Sequence, residues 1–292
     1  MRIFIENSFL KVVFDTHGAE TVSVFDKHKN TEILWQGDSD SYPFHSPNCF
    51  PFTGRLKDGT YQYDGKEYHL PLHGFAKDSE FSITKQTKSS VTFLLTDTPQ
   101  TLKSYPFKFH FYIQYKLNKN RLTTLYRIKN IDDKPIYFGV GGHPGFILPS
   151  KEDAFGTHID GNKLVFQHKE HPVQIVYDPD EILIKGQKLY GSVKEILLYK
   201  SLFSVDALLF TNLKSKYVVL QKSDGTAIKF WFNDCPYLAF WSHKTHGEFI
   251  CFEPWFGLPD YYNPIRELKA KEGINCLSVD AEFQYKYQIE IL

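Results

Sequence analysis

The sequence lacks a charge bias. Its 292 residues carry 34 basic and 34 acidic side chains, and the formal net charge is zero. Nucleic acids and anionic membranes attract basic proteins, so neither is an expected partner. No stretch approaches the roughly 20 apolar residues of a spanning helix, and the N-terminus MRIFIENSFLKVVF lacks the features of a secretory signal. We expect a cytoplasmic protein that binds a small molecule; both a monomer and a homodimer remain open.

Cysteine and the common cofactor motifs are also scarce or missing. The four cysteines are widely scattered, without a CxxC pair or a His or Cys at zinc-finger spacing; they are Cys49, Cys235, Cys251 and Cys276. We interpret them as reduced core thiols, and we expect no metal and no organic cofactor. The chain has no GxGxxG, P-loop, GxSxG or HExxH motif. Hydride transfer, ATP use, acyl transfer and zinc hydrolysis therefore have no support in the sequence.

Strand patterns recur where long helical patterns are missing. The chain has 26 Phe and 18 Tyr but one Met, and its short β-branched or aromatic segments are separated by turn residues. These segments are RIFIEN, FLKVVFD, ETVSVFDK, SSVTFLLTD, FKFHFYIQYKL, RLTTLYRIKN, PIYFGVGG, KYVVLQK, AIKFWFN and YKYQIEIL. The pattern predicts an all-β fold, a large antiparallel β-sandwich or barrel-like fold, in a single domain over residues 1–292.

Local signals refine this prediction. Asp224-Gly225 indicates a hairpin between KYVVLQK and AIKFWFN, and the dipeptides Asp58-Gly59 and Asp64-Gly65 flank TYQY at further hairpin positions. The segments PIRELKAK and SVKEILLYKSL are each compatible with one or two helical turns. Residues 149–200 are the most polar part, which predicts long loops and short edge strands there.

The stretch FICFEPWFG poses a chemical question, because Glu253 lies among large apolar side chains. An ionised carboxylate is costly to bury unless it is paired or its pKa rises. Glu253 is therefore either a structural carboxylate, paired with a cation or with backbone amides, or a proton acceptor whose pKa lies near neutrality. Asp206, in the apolar strand-like run LFSVDALLFT, presents the same choice.

Three further side chains stand beside glycine or proline. In GVGGHPGF, glycines remove side-chain bulk around His143, so either a ligand approaches the imidazole or the residue caps a tight turn. His73 follows an alternating strand that also contains His69, and a half-buried strand residue is the plain alternative. Arg55 follows a glycine and is compatible with a surface charge. Without a metal, flavin or phosphate loop, these groups favour proton transfer and hydrogen bonding, as in opening and closing a sugar ring.

The runs GRLKDGTYQYDGKEYHLPLHGF, GVGGHPGF and FEPWFGLPDYYN resemble, in order and spacing, the motifs of aldose 1-epimerases, the galactose mutarotase family. The resemblance implies a galactose mutarotase-like supersandwich with a sugar cleft and an isomerase that interconverts the anomers of a free aldose. It implies Glu253 as the base on the C1 hydroxyl and His143 as the acid on the ring oxygen. Arg55, His73 and Asp206 would bind the sugar. This chain has His73-Gly74-Phe75 where the family usually has His-Gly-Gly. In this departure it resembles a divergent branch of the family that includes LacX-like proteins.

Two other functions fit parts of this pattern. A non-catalytic carbohydrate-binding or sensor protein would use the same sandwich, but it would not need Glu253 and His143 together. An epimerase of hexose 6-phosphates would need a basic cluster, for which Arg55, Lys57 and Lys77 are candidates. A polysaccharide lyase or hydrolase fits less well, because the acid and base suit ring opening better than chain cleavage.

Overall fold

In the computed structural model, the chain is built almost entirely from β-strands. The structure describes residues 1–149, 151–153 and 156–292, with the backbone alone for 151–153 and 156–158. The strands, in chain order, are β1 (Arg2–Glu6), β2 (Leu10–Asp15), β3 (Thr21–Asp26), β4 (Thr31–Glu32), β5 (Asn48–Cys49), β6 (Thr60–Tyr63), β7 (Lys66–His69), β8 (Ser82–Gln86), β9 (Ser90–Thr96), β10 (Phe109–Asn118), β11 (Arg121–Asn130), β12 (Ile136–Phe138), β13 (Val140–Gly142), β14 (Gly145–Ile147), β15 (Lys151–Asp153), β16 (Gly156–His158), β17 (Lys163–Glu170), β18 (Val173–Tyr177), β19 (Ile184–Leu189), β20 (Val193–Leu197), β21 (Leu208–Thr211), β22 (Tyr217–Gln221), β23 (Ala227–Trp231), β24 (Tyr237–Trp241), β25 (Phe249–Phe256), β26 (Asn275–Leu277) and β27 (Glu282–Ile291).

Helical structure in the described part of the chain is confined to short pieces. They are the α-helix α1 (Thr101–Ser104) and the 3₁₀ turns Lys57–Gly59, Ala76–Asp78, Lys200–Phe203 and Leu268–Ala270. Across the described residues, no helix has the length and apolar character needed to cross a membrane.

The predicted all-β, antiparallel fold is confirmed, since each of the ten predicted segments contains a strand. The hairpin at Asp224-Gly225 joins β22 to β23, and Asp64-Gly65 joins β6 to β7. Asp58-Gly59 was predicted wrongly as a hairpin turn; it lies in the 3₁₀ turn that leads into β6.

The helical prediction for SVKEILLYKSL is wrong over most of its length. Val193–Leu197 forms β20, and the one turn follows at Lys200–Phe203. Val193 and Ile196 are buried there, so pairing with β17 and burial outweigh the weak local helical pattern. PIRELKAK forms the single 3₁₀ turn Leu268–Ala270, as predicted.

Residues 149–200 contain more sheet than their polarity predicts, although positions 150, 154 and 155 lie outside the described residues. The strands β19 and β20 are edge strands, as predicted. The eight-residue strand β17, however, lies between β20 and β22 inside the larger sheet. Its alternate residues Leu164 and Phe166 are buried, and this half-apolar pattern was hidden by the polar residues on its other face.

Two large sheets form the sandwich. The nine-stranded sheet has the order β20-β17-β22-β23-β27-β11-β10-β9-β8, and the second has the order β19-β18-β21-β24-β25-β13-β5, with β14 also paired to β25. Aromatic side chains meet between the sheets: the rings of Phe230 on β23 and Phe252 on β25 are 5.2 Å apart. The small sheet β1-β2-β3-β4 covers the other end of the nine-stranded sheet, where Phe14 packs on Tyr115 at 4.5 Å.

The alternation of side chains along β25 explains why FICFEPWFG is apolar on both sides of its carboxylate. Successive residues of a strand point to opposite faces. Ile250 and Phe252 belong to the core between the sheets, whereas Cys251 and Trp255 pack in separate clusters on the other face. Glu253 shares the parity of Cys251 and Trp255, so it points away from the core, toward a face that loops cover.

Candidate functional site

The strand register brings His143 to Glu253. On one side Gly141 pairs with Trp255, and on the other Gly145 pairs with Cys251. His143 lies midway between Gly141 and Gly145 in sequence, as Glu253 does between Cys251 and Trp255, so the register places His143 opposite Glu253. Two segments that are far apart in sequence therefore present their functional groups on one sheet face.

The glycines before His143 are required by close packing. A Cβ atom on Gly141 would lie 2.5 Å from Cδ1 of Trp255 and 2.7 Å from the carbonyl oxygen of Pro254. A Cβ atom on Gly142 would lie 2.9 Å from the ring of Tyr287. Gly141 and Gly142 therefore allow the backbone to pack closely against neighbouring strands, whereas the sequence suggested that they leave space for a ligand.

His143 and Glu253 form a buried pair. Nε2 of His143 lies 3.0 Å from Oε2 of Glu253, and the two residues are 6% and 2% exposed. Burial raises the pKa of Glu253 well above its usual value, with a further contribution from Asp206. Burial lowers the pKa of His143 to about 3. Both directions favour the neutral forms, so the pair holds one proton between the carboxyl oxygen and the imidazole nitrogen.

His73 is fixed to the loop that carries Arg55. The backbone N–H of Gly54 donates to Nδ1 of His73 at 3.0 Å, and the backbone N–H of His73 donates to the Gly54 carbonyl at 3.1 Å. Burial, helped by the neighbouring His143 and by Lys77 and Arg55, lowers the pKa of His73 well below its usual value. A neutral imidazole that accepts at Nδ1 carries its proton on Nε2, so His73 offers a hydrogen-bond donor.

Asp206 lies in the loop just before β21, not within a strand as its apolar neighbours suggested. Burial raises its pKa to about 6, although the Ala207 amide and the Arg55 guanidinium favour the charged form. Asp206 is therefore a second carboxyl group with a perturbed pKa, and it lies near enough to Glu253 to contribute to the raised pKa of that residue.

The five residues selected from the sequence line one cavity of about 480 Å³. These are Arg55, His73, His143, Asp206 and Glu253. The cavity wall also contains the aromatic residues Trp241, Trp255 and Tyr177. Its volume lies within the range of about 300–1,000 Å³ that is usual for small-molecule sites.

The basic cluster considered for a phosphate group is only partly present. Arg55 and Lys77 line the cavity, and Lys244 joins them. Lys57 points elsewhere: its ammonium donates to the carbonyl of Tyr262 at 2.8 Å and lies 3.6 Å from Glu181.

A buried ion pair supports the Arg55 loop and was missed by sequence reasoning. Nζ of Lys271 lies 2.6 Å from Oδ1 of Asp260, and the two residues are 8% and 3% exposed. Oδ2 of Asp260 accepts from the backbone N–H of Lys57 at 2.9 Å, and the Asp260 N–H donates to the carbonyl of Arg55 at 2.8 Å. Asp260 stands within FEPWFGLPDYYN, so its motif was a signal that could have found it.

Tyr42 was also missed. Its phenol oxygen lies 2.8 Å from Nδ1 of His143, and its ring stacks on the imidazole. The surrounding stretch SDSYPFHSP carries no motif that marks this tyrosine.

Three of the cavity residues could also hold a metal ion. Ligand atoms of His73, His143 and Glu253 all lie within 4.8 Å of one another. Sequence spacing could not show this cluster, because its members come from three separate segments. Two imidazoles and a carboxylate are a donor set that divalent transition metals accept, so the expected absence of a metal stays a prediction that chelation can test.

A buried carboxyl–imidazole pair in the wall of a cavity of this size is the arrangement expected of an enzyme active site for a small molecule. Comparison with known proteins gives the family. The chain belongs to the aldose 1-epimerase family, a family of isomerases, whose sequence model matches residues 1–268.

The relatives agree with this assignment and with the predicted resemblance to LacX-like proteins. Protein LacX (chromosomal) of Lactococcus lactis subsp. lactis is 30% identical over 268 residues, which are 88% of each chain. A solved galactose mutarotase related enzyme from Lactobacillus acidophilus is 34% identical, with a TM-score of 0.94 over 100% of this chain and 97% of that one. A galactose mutarotase-like protein from Lactobacillus casei is 29% identical, with a TM-score of 0.93 over 100% of both chains.

Proposed function

We propose that this protein interconverts the α and β anomers of a free aldose by acid–base opening and reclosure of the sugar ring. The observation that carries the proposal is the buried pair of His143 and Glu253, 3.0 Å apart in the wall of the cavity. Ring opening needs a group that takes a proton from the C1 hydroxyl and a group that gives one to the ring oxygen. Both oxygens are bonded to the same carbon, so the acid and the base must lie close together, as these two do.

The proton steps balance within the pair. The shared proton first moves from Glu253 to Nε2 of His143 across their 3.0 Å contact. The ionised Glu253 then takes the proton of the C1 hydroxyl, the C1–O5 bond breaks with its electrons moving to O5, and Nε2 of His143 donates its proton to O5. The open aldehyde rotates about C1–C2. Reclosure returns the O5 proton to His143 and moves the Glu253 proton to the new C1 hydroxyl. One proton is transferred in each direction, and the shared proton of the buried pair is sufficient for the cycle.

The remaining predicted residues suit binding. His73 offers its Nε2–H as a donor, Asp206 offers a carboxylate that can accept from a sugar hydroxyl, and Arg55 offers donors at the edge of the cavity. Trp241 and Trp255 supply aromatic surface against which a sugar ring can pack. A small sugar is the expected partner, and neither a nucleic acid nor a membrane is expected to bind.

A hexose 6-phosphate is a second candidate substrate, because the cations of Arg55, Lys77 and Lys244 line the same cavity. A phosphate group would add charge-assisted hydrogen bonds to these side chains.

The experiment is a panel of free aldoses and their 6-phosphates, in which exchange between anomers is measured by NMR with and without the protein. We expect faster exchange for at least one member of the panel, and the preferred member decides between the free and the phosphorylated sugar. Binding of sugars without faster exchange for any of them would contradict the proposal and favour a carbohydrate-binding or sensor protein.

A further inference from the structure

Tyr42 contacts His143, the proposed acid, but has no role in the proposed proton transfers. It lies in the segment between β4 and β5, and it is buried. Its phenol oxygen lies 2.8 Å from Nδ1 of His143 and 3.2 Å from the carbonyl oxygen of the same residue. The two rings are stacked, with centroids 5.1 Å apart and planes inclined by 24°.

The tyrosine is held by contacts that do not involve His143. Its carbonyl oxygen accepts from Nε1 of Trp35 at 2.8 Å and from the backbone N–H of Asp38 at 2.9 Å. Its ring also packs on Phe249 at 5.5 Å and on Trp241 at 5.4 Å. The position of the phenol is therefore set by the surrounding segment, and His143 is oriented against it.

The phenol has one proton and two acceptors within reach, so two hydrogen-bond arrangements are possible. In the first, Tyr42 donates to Nδ1, and the neutral imidazole carries its proton on Nε2. Loss of that proton would leave an imidazolate, which is far too basic for proton exchange with a carboxyl group. In the second, Nδ1–H donates to the phenol oxygen, and the phenol donates to the His143 carbonyl. Nε2 can then gain and lose a proton while Nδ1 stays protonated.

The second arrangement also matches the partner of Nε2. Nε2 lies 3.0 Å from Oε2 of Glu253, so a proton on that contact can move between the two atoms while Nδ1 keeps its own proton on the Tyr42 side. Burial, with added contributions from Cys251 and Glu253, raises the pKa of Tyr42 well above its usual value. The phenol therefore keeps the proton that it donates to the carbonyl.

We propose that Tyr42 is a positioning residue that holds His143 in the Nδ1–H tautomer, so that Nε2 is the nitrogen that exchanges protons with Glu253 and the substrate. Tyr42 also lines the cavity, and in this proposal its effect on the reaction passes through His143. This inference rests on the proposed function for its effect on rate, whereas the tautomer itself can be measured without any substrate.

The first test is the tautomer of His143 in the sugar-free protein, measured by ¹⁵N NMR and assigned by comparison with the His143→Asn variant. We expect a protonated Nδ1 and an Nε2 that accepts a hydrogen bond. A protonated Nε2 with an unprotonated Nδ1 would overturn the inference, whatever the outcome of the sugar panel.

The second test compares Tyr42→Phe with Tyr105→Phe. The first variant keeps the stacked ring and removes the phenol, and the second removes a buried phenol that donates to the Tyr137 carbonyl at 2.9 Å, outside the cavity. We expect Tyr42→Phe to give a mixture of His143 tautomers and a kcat lower by about 10- to 100-fold, with KM changed by less than about threefold. Tyr105→Phe should keep the wild-type kcat. An unchanged tautomer and rate in a folded Tyr42→Phe protein would refute the positioning role.

The two failures are distinguishable. If no sugar is epimerised by the wild-type protein, the proposed function fails while the tautomer measurement still stands or falls by itself. If Tyr42→Phe does not fold, the NMR result on the wild-type protein still decides whether His143 is held in the Nδ1–H form.

Discussion

Replacing Asp206 with Asn should make the protein more stable at pH 8 and leave its stability nearly unchanged at pH 4. Burial raises the pKa of this carboxyl group from 3.8 to about 6, so the folded protein binds the proton more tightly than the unfolded chain does. Above pH 6 the group is ionised in both states, and the folded state carries the cost of burying the charge. A rise of about two pKa units corresponds to about 3 kcal/mol.

The sign follows from proton binding. Between pH 3.8 and about 6 the folded state holds more protons than the unfolded state, so the Asp206 contribution to stability decreases as the pH rises. Asn has no such titration and keeps an oxygen that can accept from the Ala207 N–H. The stability gain of Asp206→Asn should therefore be about 3 kcal/mol at pH 8 and about 0.5 kcal/mol at pH 4.

Urea unfolding of the wild-type and variant proteins at both pH values measures this difference. The matched control is Asp224→Asn, since hydrogen bonds from Thr226 lower the pKa of Asp224 in the hairpin between β22 and β23. That control should show no gain at pH 8. A gain for Asp206→Asn that is absent at pH 8, or equal at the two pH values, would refute the argument that burial sets this pKa.

Three further predictions concern the cavity and its support. His143→Asn should slow anomer exchange by about 100-fold or more while sugar affinity stays within about tenfold, measured by NMR exchange and by titration calorimetry; an unchanged rate would return His143 to a purely structural role. Asp260→Asn leaves the buried Lys271 cation unpaired and should lower the free energy of unfolding by about 3–5 kcal/mol. Asp64→Asn, in the exposed pair with Lys269, should lower it much less, and equal effects would contradict a structural role for the buried pair of Asp260 and Lys271. Dialysis against EDTA should leave the exchange rate unchanged, and a loss restored by one divalent ion would show that His73, His143 and Glu253 hold a metal.

Much of the fold could be predicted because strand formation here follows local chemistry. β-branched and aromatic alternation marks β10 and β11, and the Asp-Gly dipeptides mark two real hairpins. The prediction of secondary structure failed where pairing with a neighbouring strand determines the conformation of a segment. Val193–Leu197 forms an edge strand because β17 lies beside it, and no residue within the segment reports that neighbour.

The cavity residues could be selected from the sequence as unusual side chains, but the contacts between them could not be predicted. Glu253 stood out because a carboxylate among aromatic residues requires a chemical reason, and His143 stood out among its glycines. Their 3.0 Å contact depends on the register of three strands. The supports provided by Tyr42 and Asp260 arise from contacts across more than 100 residues of sequence. The motif FEPWFGLPDYYN marks Asp260 as a candidate, but no local pattern shows which groups Tyr42 or Asp260 contacts.

The variant Glu253→Gln shows whether Glu253 exchanges a proton with the substrate. Gln keeps the size of the side chain and can donate to Nε2 of His143 as the neutral carboxyl group does, but it cannot accept a proton. Thermal unfolding and the anomer exchange rate are measured on the same preparation, with the substrate that the sugar panel identifies. We expect an unchanged melting temperature, retained sugar binding and a rate lower by about 10²- to 10⁴-fold. A lowered melting temperature with a rate that matches the folded fraction would contradict this expectation and assign Glu253 a structural role.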